Sequence, residues 1–475
     1  MSADFAPGVT PGAAPDRTRD RVVDRAKAAE VTEATGAAGT AGPTGADPAE
    51  RGAAASGCTA WTPGHTPGDY VIGHARAVLP DRIVDDARIV VRDHRIVEIG
   101  EGTRGVALDV DARNMLLTPG FIDVHSDALE KERTPRSNAE VPLEFAMSSF
   151  TGRVMGAGCT TMFHGAGFQH QMARGVARSV SRALELCAAV DAERSSRVEH
   201  RILHRLDILS EAGAQALADR LAALPAGSPV PLVSHEDHTP GQGQYADPTK
   251  LKDYMIFADG LSEEEADAQL DRLVAEGREG EAVRQKHFAW LSELAAAGRI
   301  RLLGHDPDTA QAIDELAERG GSVAEFPATL EAARRARERG MPIVAGAPNA
   351  LRGRSHSGNV SAGELAALGL VDALASDYLP AALLGGVRTL VDEGIMDLPQ
   401  AIGLITAGPA RVAGLADRGT IAAGQLADFA FVSDARGGWP HVVATFKAGE
   451  PQPAGTVDPG TFGPGTVGPD SGLSS

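Results

Sequence analysis

Several apolar runs in this chain end in histidine or acid. They are Phe121-Ile122-Asp123-Val124-His125-Ser126-Asp127, Leu232-Val233-Ser234-His235-Glu236-Asp237-His238, Leu302-Leu303-Gly304-His305-Asp306 and Ala373-Leu374-Ala375-Ser376-Asp377. In extended backbone, residues two apart share a side, so His125 and Asp127 can converge on one point. An imidazole and a carboxylate together suit a borderline divalent ion such as zinc, manganese or cobalt. Taken alone, one such pair reads equally well as satisfied surface polarity. Repetition at the ends of separate runs is what packing alone does not require, and it points to a metal site assembled from several strands.

The elements that must position these residues are eight short apolar strands alternating with helices. The strands are Gly120 to Val124, Thr160 to Phe163, Ile202 to Leu206, Val230 to Ser234, Ile300 to Leu303, Val323 to Phe326, Ile343 to Ala345 and Ala373 to Ala375. Helical stretches such as Ala310 to Arg319 and Ser361 to Leu368 supply the crossovers that parallel strands need. Eight repeats without a glycine-rich dinucleotide motif after the first strand predict an α/β fold, a (β/α)8 TIM-like barrel, with chemistry on the loops after the strand C-termini.

Outside the barrel, Tyr70-Val71-Ile72, residues 87–91 and residues 95–99 at one end, and Gly419-Thr420-Ile421, residues 427–432 and residues 442–447 at the other, read as antiparallel strands. They predict a small β-sandwich domain formed by both ends of the ordered chain, over 69–118 and 418–450, enclosing a barrel over 119–417. Residues 1–68 and 451–475, rich in Ala, Gly and Pro, read as disordered tails, although Arg17 to Lys27 could form a helix. The stretch from Thr239 to Gly298 is too long for a simple connection. Its acidic helical pattern around Ser262 to Val274 suggests an inserted lid or a structural insertion.

Composition bounds the function. With 475 residues, 43% hydrophobic and 23% charged, the chain has the balance of a globular enzyme. A formal charge of -19 argues against wrapping a nucleic-acid backbone, though not against a small phosphorylated ligand. Three scattered cysteines, Cys58, Cys159 and Cys187, suit a reducing cytoplasm, and there is no apolar run long enough to span a bilayer and no secretory leader. Partners beyond substrate are undetermined at this level; a homo-oligomer is compatible with the sequence.

The motifs resemble those of the amidohydrolase superfamily and, within it, the PhnM-like branch of ribosyl triphosphate diphosphatases that act in phosphonate degradation. The resembling stretches are Pro119 to Lys131, Asp237-His238-Thr239-Pro240-Gly241-Gln242, Ala324 to Arg334, Gly346-Ala347-Pro348-Asn349, Arg352 to Val360 and Ala375 to Ala381. Most amidohydrolases carry His-x-His after the first strand, whereas His125-Ser126-Asp127 is the variant of this branch. The resemblance implies a cytoplasmic, metal-dependent hydrolase. It places His125, Asp127, His305 and Asp377 at metal-ligand positions, with Asp377 also set to take a proton from the attacking water. For a bridging ligand the candidates are Asp207 and His238, with His204 as a competitor that reads equally as structural.

A ribosyl triphosphate needs cations and backbone donors around its oxygens. Arg352-Gly353-Arg354-Ser355-His356-Ser357-Gly358-Asn359 offers both, and Arg352, Ser355, His356, Ser357 and Asn359 are the candidate phosphate ligands. A flexible basic loop is the bland alternative. Arg136, in the loop after the first strand, could reach the same mouth. Departures from the branch pattern at Ala128, Glu140 and Phe150 bear on which phosphorylated sugar is accepted. The reaction implied is release of diphosphate from a ribosyl triphosphate bearing a phosphonate. The competing expectations are hydrolysis of an amide or amine C–N bond, and a catalytically inactive metal-binding scaffold in a phosphonate-degrading complex.

Overall fold

The structure, a computed structural model, describes Trp61 and residues 66–448, apart from 137, 170–171, 174–175, 194–196, 238, 242, 244–246, 259, 356–357 and 434–437. Apart from Trp61, which packs against Tyr70 and Phe446, and residues 66–68, the two tails expected to be disordered fall outside the described residues, as do the helix considered for Arg17 to Lys27 and Cys58.

Five strands open the described chain: β1 (Tyr70–Val78), β2 (Ile83–Arg92), β3 (Arg95–Glu101), β4 (Val110–Asp111) and β5 (Leu116–Pro119). The barrel follows with β6 (Phe121–Ser126) and β7 (Cys159–Phe168). A minimal hairpin, β8 (Met172–Ala173) with β9 (Val176–Ala177), precedes β10 (Glu199–Asp207), β11 (Leu232–Glu236), β12 (Arg301–His305), β13 (Val323–Glu325), β14 (Ile343–Gly346) and β15 (Ala373–Ala375). The chain returns to the outer sheet with β16 (Phe429–Ser433) and β17 (His441–Phe446).

All eight predicted barrel strands are present, in the order β15-β14-β13-β12-β11-β10-β7-β6, every neighbouring pair parallel. A parallel bridge between Ser126 and Asp377 links the two edge strands. The barrel is thus closed at the point where two candidate site residues meet. Each strand sends at least one apolar side chain inward: Ile122 and Val124, Phe163, Leu203, Leu232, Leu303, Val323, Val344, Ala373 and Ala375 form one buried cluster, so the interior is packed rather than hollow. The much larger cluster lies between strands and helices, with Phe121, Phe168, Leu206, Leu291 and Leu374 among its members. Cys159 and Cys187 are buried free thiols.

Both ends of the chain meet in one small β domain, a mixed sheet ordered β17-β16-β5-β1-β2-β3 with β4 also paired to β1. Its core joins Tyr70, Ile72 and Ile89 to Phe429 and Phe431. One expected strand is absent: Gly419-Thr420-Ile421 is irregular. Gly419 takes φ +94, and a Cβ there would lie 2.9 Å from the Ala410 Cβ, so the backbone turns against the preceding helix instead of pairing. The strand that replaces it in the sheet is β5, antiparallel to β16 and parallel to β1, which runs through Gly120 directly into the barrel. A side chain at Gly120 would collide with Thr160 at 2.4 Å.

The long stretch after β11 contains three helices, Pro248–Ala258, Glu263–Glu279 and Glu281–Ala296. The last buries Phe288, Leu291 and Leu294 in the main core, so it is the barrel's own crossover helix. The first two form the insertion. Their contact has a separate small core of Leu251, Met255 and Ala266, and Ser262 with Glu265 makes a capping box that fixes the start of the second helix.

Candidate metal and phosphate site

His125, in β6, and Asp127, one residue beyond the strand, face Asp377 beyond β15. Backbone pairing sets this up: the Asp377 N–H donates to the His125 carbonyl at 3.0 Å, and the Asp127 N–H donates to the Asp377 carbonyl. Asp377 itself has φ +54, a left-handed conformation that an aspartate tolerates better than most residues. One ligand atom from each of His125, Asp127 and Asp377 falls within 4.8 Å of the others.

A second group of three joins His125 and His305 to Glu325, at the end of β13. The fully buried Glu325 carboxylate accepts from both imidazoles, from His125 Nδ1 at 2.8 Å and His305 Nδ1 at 2.9 Å, and from Ser234 Oγ at 2.7 Å. The rings lie nearly parallel, 17° apart with centroids at 5.6 Å, and Phe326 packs edge-on against both. With Nδ1 committed on each ring, Nε2 is the atom each histidine can offer to a cation. Glu325 therefore orients the histidines.

Charge is concentrated here. Burial pushes the Asp127 carboxyl up, but Arg205, Arg178 and His125 outweigh it and hold the group well below the usual carboxylate range. Arg178 reaches Asp127 Oδ2 at 2.9 Å; Arg205, buried, bonds both Asp127 and Glu236 at the end of β11. Asp127 Oδ1, by contrast, is buried without a hydrogen-bond partner among the described residues. Burial lowers His125 and His305, yet the surrounding carboxylates raise both, His305 to about 10. The field that favours a proton on these rings also favours a divalent cation between them. An orphaned carboxylate oxygen, two oriented imidazoles and a further carboxylate fit a zinc-, manganese- or cobalt-type ion.

Other candidates lie elsewhere. Asp207 is in neither group: its carboxylate accepts from the Leu209 N–H at 3.0 Å, turning the chain after β10, and burial pushes it up to about 6. His204 bonds the Leu232 carbonyl through Nδ1 at 3.0 Å and stacks with Phe168, on the helix-facing side of the sheet. His238, His356 and Ser357 fall outside the described residues. Arg136 is exposed and makes no side-chain hydrogen bond or ion pair among the described residues. Phe150, one of the positions departing from the branch pattern, is buried against His164 in the helical layer rather than at the mouth. Glu140 pairs with Arg133 and Arg182.

The basic loop divides. Gly353, at φ +69, ends the helix Ala347–Arg352, and Asn349 fixes the return by accepting from the Ala362 N–H and donating to the Val360 carbonyl. Arg352, exposed, donates to the hydroxyl of Tyr378, the residue after Asp377, while Lys131 lies 4.6 Å over the Tyr378 ring. Ser355 and Asn359, with Arg354, line a cavity of ≈620 Å³ instead.

No family model matches the chain. It is 34% identical over 369 residues to the alpha-D-ribose 1-methylphosphonate 5-triphosphate diphosphatase of Escherichia coli (strain K12), covering 75% of this chain and 93% of that protein. The chain belongs to this diphosphatase family. Among solved structures, an enamidase described as an amidohydrolase superfamily member aligns at 16% identity and TM-score 0.49, over 80% of this chain and 95% of its own. The N-acetylglucosamine-6-phosphate deacetylase of Pasteurella multocida aligns at 11% identity and TM-score 0.48, over 80% and 99%. No helix among the described residues is long and apolar enough to cross a membrane.

Strand ends in His or acid mark His125, Asp127, His235, His238, His305 and Asp377 in the sequence, and the family resemblance puts His125, Asp127, His305 and Asp377 at metal-ligand positions. Glu236 and Glu325 satisfy the same rule without having been singled out, and linear spacing gave no signal for Arg205 or Arg178.

Proposed function

We propose that this chain is a metal-dependent diphosphatase that hydrolyses a ribosyl 5-triphosphate carrying a phosphonate, of the kind named for its relative, to the 5-phosphate and diphosphate. The observation that carries the reading is the convergence of His125, Asp127 and Asp377 at the barrel seam of a chain from this family. When bound, one or two divalent ions, zinc being the best match to the donor set, supply Lewis acidity that polarises a phosphoryl oxygen and makes water a better nucleophile at neutral pH.

The chain's own residues do the rest. Glu325 fixes the ring orientation of His125 and His305, and Arg205 with Arg178 holds Asp127 charged. Asp377 accepts the proton of the attacking water as its oxygen bonds to the α-phosphorus and the bond from that phosphorus to the bridging oxygen breaks. Negative charge on the reacting α-phosphoryl group is what Arg352, beside Tyr378, stands ready to balance.

Phosphorus NMR of full-length, metal-loaded protein with a ribosyl triphosphate should show diphosphate and no orthophosphate as the first product. Asp377→Asn should lower kcat by roughly 10²- to 10⁴-fold, the range for loss of a proton acceptor. Turnover of cyclic amides with an untouched triphosphate would sink the reading.

A further inference from the structure

The ≈620 Å³ cavity lies between the insertion and the loop after the helix Ala347–Arg352. Its wall includes residues that lie close to the candidate metal ligands in the chain. Ala328, in its wall, is three residues beyond Glu325, and Gly243, also in its wall, packs against Asp306, where a Cβ would stand 3.1 Å from the Asp306 carbonyl oxygen. Two cations line it, Lys250 from the insertion's first helix and Arg354 from the loop. Both are exposed, and neither makes an ion pair among the described residues, in a chain whose formal charge is -19.

Two carboxylates share the lining, and neither neutralises these cations by direct contact. Asp247 is turned to its own backbone, accepting from the Thr249 N–H at 3.0 Å and from the Thr249 hydroxyl at 2.6 Å at the start of the helix Pro248–Ala258. Glu364 is exposed in the first turn of the helix Ala362–Ala367. Lys250 is aimed across the cavity: its Nζ would be 3.1 Å from a Cβ at Gly358, whose φ of +75 makes glycine the fitting residue twice over. Two separate segments, one belonging to the insertion, therefore present cations without a direct ion pair to a space of small-ligand size.

We infer that this cavity is the diphosphate subsite, with Lys250 and Arg354 as its cations and Asn359 and Ser355 as neutral partners, so that the insertion holds the leaving group. The inference rests on the diphosphatase reading for the identity of the anion. Lys250 is the residue that makes the insertion part of the site, since among the described residues of its two helices no other lines the cavity.

The test uses inorganic pyrophosphate as probe, titrated calorimetrically into full-length, metal-loaded protein. Lys250→Met and Arg354→Met should each weaken binding about tenfold, Lys250→Arg should restore most of it, and binding to the unaltered protein should weaken as salt rises. Metal content, measured in parallel, should stay the same in every variant. Arg82→Met, an exposed cation of the small β domain, serves as the charge control and should bind pyrophosphate normally. Unchanged pyrophosphate affinity in the Lys250→Met/Arg354→Met double variant, with its metal in place, overturns the subsite even if triphosphate hydrolysis is found. Pyrophosphate binding that depends on both cations, in a protein that hydrolyses no triphosphate, supports the subsite and overturns the reaction instead.

Discussion

At the scale of single residues, Glu325 carries more than any other side chain in the site, because two imidazoles and a serine hydroxyl depend on its two oxygens. Glutamine in its place keeps the size and gives up an acceptor, so one imidazole Nδ1 or the Ser234 hydroxyl must go unpaired in a buried position. We expect Glu325→Gln to weaken metal affinity about 10- to 100-fold, read by competition with a chromophoric chelator. An unchanged affinity would mean that the histidines are oriented by something else. The sequence made His125 and His305 visible as ligand candidates, since each ends an apolar run. Their common partner was not visible: Glu325 is 200 residues from His125 and 20 from His305, and only the side-by-side register of β12 with β13 and the closure of the barrel bring the three together.

Among the elements, β7 shows how tightly the site is built. Gly165 lies where a Cβ would come within 2.4 Å of Asp127 Oδ1 and 2.9 Å of Arg205 Cδ. A methyl group there must displace the carboxylate or the guanidinium that holds it. Gly165→Ala should therefore reduce bound metal per chain and cost about 1 to 3 kcal/mol of stability, checked by elemental analysis and denaturant unfolding. Full metal content at unaltered stability would show that the strand can yield. The eight barrel strands were legible because each is a short apolar run closed by turn residues. β5 was missed because its four residues run through Gly120 into the next strand without a turn to separate them. Gly419-Thr420-Ile421 was misread because Ile421 is buried, as a strand residue would be, while Gly419 bends the backbone away from the sheet. The insertion was legible as excess length, but not where its last helix rejoined the barrel core.

Across the whole molecule, buried histidines away from the site tie stability to pH. Burial pushes His200, His204 and His235 each down to about 4, and His164, hydrogen-bonded to His200 at 2.8 Å, well below its usual value. Such a group is neutral when folded and binds a proton when unfolded, so its contribution is intact above the unfolded value near 6.5 and is lost as pH falls from there toward 4. Asp207, raised to about 6, works in the opposite direction over part of that range, so one group must be isolated by comparison with a variant. His235 is the clearest choice, since neither ring nitrogen has a hydrogen-bond partner among the described residues and Phe288 packs against its ring at 5.1 Å. His235→Leu should gain stability relative to the parent as pH drops from 6.5 to 4.5, by at most about 3 kcal/mol, in urea unfolding midpoints. A difference independent of pH would refute the assignment. The seam at Ser126 and Asp377 also fixes when the candidate site can be complete. Its two sides are 251 residues apart, and the second belongs to the last barrel strand to be synthesised. A nascent or truncated chain therefore holds His125 and Asp127 without Asp377 beside them until the final strand is home.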